Sequence, residues 1–313
     1  MKKLKFALTG ALYLAVVTLA LLGYRTATAD PTAFGGKPDI VEVLTIDGEI
    51  NDFTASNFAD KVKGINESKI VKALVLRLDT PGGGAIASAN LYDELGKLNV
   101  PVVVWCNSLC ASGGMYAAMA PSVKFIGVRS ETVAGSIGVI MHAMHYERLL
   151  NWARIDSEVY KSGLLKDSGN PERAPTQADR QYLQSQIDYL AERFYAVVDR
   201  ARGDKIDAAS WVKIKQARIF FGQQAVNVGL ADAVIGYDEA VKKAKELSGS
   251  KLIFTRDEIK KMSAAANAEP SYKAPAPAIQ ANPYGDLPWL IELLKEIKGG
   301  TSIRFEYKMP YKY

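Results

Sequence analysis

The sequence predicts an α/β fold with helices layered on a parallel sheet, and three observations lead there. Short runs rich in β-branched residues alternate with segments whose apolar residues recur at helical spacing. Two of the strand-like runs end in glycine-bearing turns, Asp79-Thr80-Pro81-Gly82-Gly83-Gly84 and Ala111-Ser112-Gly113-Gly114. With 313 residues, 48% hydrophobic and 23% charged, the chain can bury a sizeable core without disulfides or metals.

In chain order, Asp39 to Ile46 alternates apolar and polar residues and reads as a strand. Residues 55–66 place Phe58, Val62 and Ile65 on one helical face. Val71 to Leu78 is an apolar strand, and residues 85–97 resume helical spacing through Ile86, Leu91 and Leu95. Pro101 to Cys106 is the next strand, Ala111 to Met119 a short helix of small residues, and Val123 to Val128 a strand again. Residues 146–153 suit a short helix and Ser157 to Lys161 a short strand. Thr176, with Asp179 three residues on, opens the longest helix as a capping box; its inner stripe is Leu183, Ile187, Leu190, Phe194 and Val198. A last α/β stretch covers Ile219-Phe220-Phe221-Gly222, a helix from Gln223, and Gly229-Leu230-Ala231-Asp232. The domain layout expected is an export segment at 1–29, a linker at 30–38 and one compact domain at 39–256. An Ala/Pro-rich linker follows at 257–285, then a C-terminal helix and tail at 286–313. The chain has no internal repeat, which implies a single functional unit.

Charge narrows the partners. The formal net charge is +5, and Lys2, Lys3, Lys5 and Arg25 all precede Asp30, the first acid. The other 35 of the 39 basic residues stand against 34 acidic ones, a net of +1. A body that is nearly neutral has no electrostatic footprint for nucleic acid. The basic start leads into an apolar run from Phe6 to Leu22 and then the small-x-small pattern Ala27-Thr28-Ala29. Two readings fit, a cleaved signal peptide and a retained membrane anchor; in both, the chain after Arg25 is exported. Cys106 and Cys110 suit either a local disulfide of an oxidising compartment or two small buried hydrophobes. His142 and His145, the only histidines, have no acid or thiol at ligand spacing. No metal site and no cofactor are expected.

Three segments carry candidate chemistry. Gly82-Gly83-Gly84 lets backbone N–H groups approach a ligand closely, which suits a phosphate, the oxyanion of acyl transfer, or a plain tight turn. The Gly-Lys-Ser/Thr and G-x-G-x-x-G patterns of nucleotide loops do not follow it. Ser112 sits at a strand-to-helix turn among small residues, as a nucleophile would with Gly113 N–H as an oxyanion donor, or as an ordinary N-cap. A serine nucleophile needs a base. Lys161 and Lys166 stand out within Tyr160-Lys161-Ser162-Gly163-Leu164-Leu165-Lys166-Asp167, where two leucines offer the apolar wall that keeps a lysine neutral. The bland alternative is that both are solvated surface charges.

Taken together, these segments resemble the signal peptide peptidase A family of serine–lysine proteases, from about Val41 to about Gly236. The motifs are Asp79 through Gly84, Ala111-Ser112-Gly113-Gly114-Met115-Tyr116, and Gly135-Ser136-Ile137-Gly138-Val139-Ile140. They continue with Lys161-Ser162-Gly163 through Lys166-Asp167, Gly222 through Ala225, and Gly229-Leu230-Ala231-Asp232. Met115 stands where a tyrosine is common, and Cys106 and Cys110 have no place in the pattern. The resemblance implies a crotonase-like (caseinolytic-protease-like) superhelix of parallel strands and helices. It implies Ser112 as nucleophile, Lys166 as general base, Ser136 orienting that base, and an oxyanion hole from Gly82, Gly83 and Gly113. Lys161 falls on a lysine the family does not use as base, and the histidines become bystanders. It further implies a ring-shaped homo-oligomer and peptide substrates like signal-peptide remnants, handled at the membrane or beyond it. Two rivals remain: an acyl-CoA enzyme of the same fold, and a non-catalytic ring that binds peptides.

Overall fold

The computed structural model of the protein describes residues 38–267. The expected export segment and the expected C-terminal helix and tail lie outside the described residues. The described chain forms two compact units, one of residues 41–249 and one of residues 38–40 and 250–267.

The larger unit opens with β1 (Asp39–Asp47, shared with the smaller unit), α1 (Asp52–Glu67) and β2 (Val71–Thr80). It continues through α2 (Ala85–Gly96), β3 (Val102–Ala111), α3 (Gly113–Ala118), β4 (Val123–Val128) and β5 (Val133–Gly135). After α4 (Glu147–Ala153) and the long α5 (Gln177–Arg202) come α6 (Ala208–Ile214), β6 (Ile219–Phe221), α7 (Gly222–Asn227), β7 (Ala233–Val234) and α8 (Tyr237–Ser248). The sheet order is β6-β5-β3-β2-β1, with β4 branching from β3 and β7 pairing with β4. β3 pairs in parallel with β2, β4 and β5, and β4 with β7; β5 and β6 run antiparallel. The α/β fold with a mostly parallel sheet is therefore the one the sequence predicts, with β5 and β6 antiparallel at its edge.

Central strands of such sheets are covered on both faces and read as continuous apolar runs. Leu74, Val75, Leu76 and Leu78 of β2 and Val102, Val103 and Val104 of β3 are fully buried accordingly. Each such side chain contributes on the order of 1.5–3 kcal/mol of burial. The α1 helix starts at an Asn51–Thr54 capping box and buries Ala55, Phe58, Val62 and Ile65. The α2 helix buries Ala87, Ser88, Leu91 and Leu95 and packs on α1. α8 covers β2 and β3.

β3 decides where the site lies. Its first half, Val102–Cys106, pairs with β4, and its end, Leu109–Ala111, pairs with β5. Between Leu78↔Cys106 and Thr80↔Cys110, two residues of β2 advance against four of β3. This bulge carries the strand on to Ala111, past the end expected at Cys106. Asp79 holds the bulge: one carboxylate oxygen accepts from Leu109 N–H (3.0 Å) and the other from Asn107 Nδ2 (2.7 Å). Cys106 and Cys110 are buried free thiols. Burial, and then the neighbouring Cys110 thiol, push the Cys106 thiol upward, away from the thiolate form.

Three expectations need correction. Ser157 to Lys161 is not a strand, because among the described residues no segment pairs with it. The α5 stripe is buried only at Phe194 and Val198; Leu183 and Ile187 are half-buried and Leu190 is exposed. The first residues assigned to the 257–285 linker are helical, within α9 (Arg256–Asn267) of the smaller unit. A Thr255–Glu258 capping box starts that helix, with Glu258 N–H donating to Thr255 Oγ1 (3.1 Å) and Thr255 N–H to Glu258 Oε2 (2.6 Å). β8 (Ile253–Thr255) precedes it, and Asp39 N–H donates to the Leu252 carbonyl at 3.0 Å.

Candidate active site

The β3–α3 junction puts Ser112 at φ 49°, ψ −118°. Few non-glycine residues adopt such a backbone, and strain of this kind costs about 1–3 kcal/mol. The surroundings hold it there. Ser112 N–H donates to the Gly135 carbonyl (2.8 Å) at the end of the β3–β5 ladder, and the Ser112 carbonyl accepts from Tyr116 N–H (3.0 Å). Ser112 is half-buried, and among the described residues its hydroxyl has no hydrogen-bond partner. It is not the N-cap of an ordinary helix, because its side chain caps nothing.

The triple glycine docks against this turn. Gly82, at φ 96°, lies so close that a Cβ there would stand 2.5 Å from Gly113 N and 2.8 Å from Ser112 Cβ. Gly83 forms an isolated parallel bridge with Ile50, whose N–H donates to the Gly82 carbonyl (2.8 Å) and whose carbonyl accepts from Gly84 N–H (3.0 Å). A parallel bridge of this form turns the N–H of Gly83 itself to the opposite side. A Cβ on Gly113 would lie 3.3 Å from Gly83 N, so the two peptides are neighbours. Neither the Gly83 nor the Gly113 amide has an acceptor among the described residues. Gly82 differs, since its N–H donates to Thr80 Oγ1 at 3.1 Å. Of the three expected oxyanion donors, Gly82 is therefore occupied within the loop it shapes, and two amides are free.

Ser136 falls beside Ser112 because Gly135, the acceptor of the Ser112 N–H, is its neighbour in the chain. It too has a positive φ, 51°, fixed by its N–H bond to the Arg218 carbonyl (2.9 Å). Ser112, Ser136, Gly82, Gly83 and Gly113 are thus assembled at one end of the sheet.

No hydrogen bond among the described residues ties Lys166 to that cluster. This lysine lies in the exposed segment between β5 and α5, as do His142 and His145. An ion network shapes its neighbourhood. Asp167 binds Lys161 Nζ (2.6 Å) and Arg173 Nε (2.8 Å), while Arg173 also binds Asp179 (2.5 Å), the first-turn acid of α5. Ser168 Oγ adds 2.6 Å to Asp179. Hydrogen bonds from Arg173 foremost, joined by Lys161 at Asp167 and by Ser168 and Thr176 at Asp179, hold both carboxyls well below the usual carboxylate range. Lys161 is thereby committed to Asp167, whereas Lys166 Nζ has no partner among the described residues.

Sequence reasoning missed the supports. Asp79, Asn107 and Thr132 hold the bulge, with Thr132 Oγ1 in reach of the Asn107 and Cys106 carbonyls (2.5 and 3.0 Å). The acid at the head of the glycine loop was the available signal. Asp232 of the last motif is structural. Burial raises its carboxyl, but bonds from Arg202, Lys205 and Ile126 N–H outweigh this and leave it lowered.

A strained serine beside two free amides is an arrangement suited to acyl transfer. Residues 94–251 match the model of Peptidase family S49, and the chain belongs to that family of peptidases. It is 34% identical over 223 residues to an Enterococcus faecium protein assigned as a signal peptide peptidase SppA, covering 67% of this chain and 63% of that one. A Synechocystis protein assigned as a protease is 32% identical over 208 residues, covering 66% and 73%. The chloroplastic serine protease SPPA of Arabidopsis thaliana is 30% identical over 235 residues, covering 73% and 33%. The chain thus spans less than two thirds of the first and third of these relatives. A membrane-bound stomatin-specific protease, 1510-N, overlays with a TM-score of 0.44 at 18% identity, covering 70% of this chain and 98% of that one.

Proposed function

We propose that this S49 peptidase is a serine endopeptidase with a Ser112–Lys166 dyad, acting outside the cytoplasm on signal-peptide-like or other membrane-derived peptides. The observation that carries the reading is Ser112 itself, an unpartnered hydroxyl on a strained turn beside the free amides of Gly83 and Gly113. Lys166 Nζ takes the Ser112 proton as Oγ bonds to the peptide carbonyl carbon, and the two amides receive the oxyanion. The C–N bond then breaks and the amine leaves with the proton from Lys166. Water, deprotonated by the same lysine, releases the acyl group. Ser136, whose neighbour Gly135 accepts the Ser112 N–H, would orient the base in this reading.

Lys161 is the weaker candidate because Asp167 already holds its ammonium. A lysine serves as base only when neutral, and desolvation is what favours that form. The exposed segment carries Met144, Trp152 and Tyr160, all at least 81% exposed, and α4 buries none of its residues. Apolar surface of this extent is suited to contact with further copies of the chain, in a ring whose closure would cover Lys166. The Enterococcus relative's name supports the substrate class, and the apolar run from Phe6 to Leu22 supports export.

The test is intact mass after incubation with a fluorophosphonate probe. Wild type and Lys161→Ala should each gain one adduct, and Ser112→Ala and Lys166→Ala none. An adduct on Ser112→Ala, or none on folded wild type, overturns the assignment and favours a peptide-binding ring.

A further inference from the structure

Buried polar atoms without a partner are rare in native proteins, and each asks for a reason. Among the described residues three side chains have one: Asn57, Ser88 and Arg202. Arg202 spends its other nitrogens on Asp232 and the Gly229 carbonyl, and Asn57 lies on α1. Ser88 alone abuts the site. It lies on the first turn of α2, is 3% exposed, and its Oγ fills the space a side chain at position 113 would need. The same space borders Gly83 N. An unpaired hydroxyl thus lies against Gly113, in the neighbourhood of the two free amides.

We infer that Ser88 is a positioning residue of the oxyanion hole, acting from behind Gly113 through the orientation of its O–H dipole. This rests on the proposed role of Ser112. Ser88 Oγ is shielded, so it cannot itself touch the substrate. Its O–H has no acceptor to hold it and can turn its positive end toward the negative charge that develops on the substrate oxygen received by the Gly83 and Gly113 amides. In a water-poor interior such a dipole acts over a longer range than it would in solvent. It contributes only when charge develops, which makes it selective for the transition state. For stability alone alanine would serve better here, because it leaves no buried hydroxyl unpaired and favours the helix.

The inference therefore predicts an unusual combination for Ser88→Ala: a melting temperature equal to or above wild type, with slower chemistry. On a fluorogenic peptide, kcat should fall about three- to tenfold with KM unchanged, and a peptidyl aldehyde that forms the tetrahedral adduct should bind weaker by the same factor. Unchanged kcat and aldehyde affinity overturn the inference. So does a loss of rate accompanied by a lower melting temperature or a raised KM, or a variant that does not fold, since each marks a packing role. Fluorophosphonate labelling of wild type is measured alongside: absence of a Ser112 adduct indicts the Ser112 reading, whereas a normal adduct with an indistinguishable Ser88→Ala indicts Ser88 alone.

Discussion

Gly83 sits where three pieces of backbone meet, with Ile50 on one side and Gly113 on the other. A Cβ on Gly83 would overlap the Ile50 carbonyl, a backbone atom that cannot swing away. Gly83→Ala should therefore shift the loop, lower stability by about 1–3 kcal/mol and slow Ser112 labelling at least about 100-fold. Urea unfolding and adduct formation over time check both; labelling at the wild-type rate would show that this amide is not a donor. Ser112 and Gly113 stood out in the sequence as a serine turn after an apolar strand, yet an ordinary N-cap fitted that pattern equally, and only the resemblance of Ala111 through Tyr116 to a family motif singled them out. The engagement of Gly82 with Thr80 was hidden, because nothing in a run of three glycines says which amide is taken.

Elements were legible where burial is complete within the chain and obscure where it is not. β2 and β3 announce themselves as apolar runs, and the Thr176–Asp179 capping box announces α5. β5 was missed because three residues, Val133–Gly135, are too few to show a period. The bulge in β3 was hidden because its cause, the Asp79 carboxylate, is remote in sequence. The segment before α5 is held by ions rather than apolar burial, and this gives it a pH dependence. Asp167 and Asp179 titrate below their unfolded range in the folded protein, so their stabilisation is full above about pH 4 and is lost as pH falls below it. Asp179→Asn should melt below wild type at neutral pH, and the gap should close as acid is added below pH 4. A gap of constant size from pH 7 to pH 2 would show that the carboxylate charge contributes nothing.

At the scale of the molecule, the open half of the α5 stripe and the exposed residues between β5 and α5 belong to one description. The periodicity of Leu183, Ile187 and Leu190 is that of a covered face, yet the described residues leave it partly uncovered. Periodicity reports that a face is apolar and does not say what covers it. If further copies cover this surface, Leu190→Glu should leave the α/β body folded while reducing the assembly to monomers in sedimentation. Ser112 labelling should fall with it, since Lys166 would stay in water. A wild type that sediments as a monomer at all concentrations while labelling fully would refute the assembly reading.

The backbone at Ser112 sets stability and chemistry against each other at one codon. With φ at 49° and ψ at −118°, glycine is the residue the turn prefers, and glycine has no hydroxyl. On the proposed role of Ser112, the need for its hydroxyl is what opposes glycine at this turn. A sequence freed of that need would fold more easily in its inactive form, and would lose activity at this position before it lost its shape.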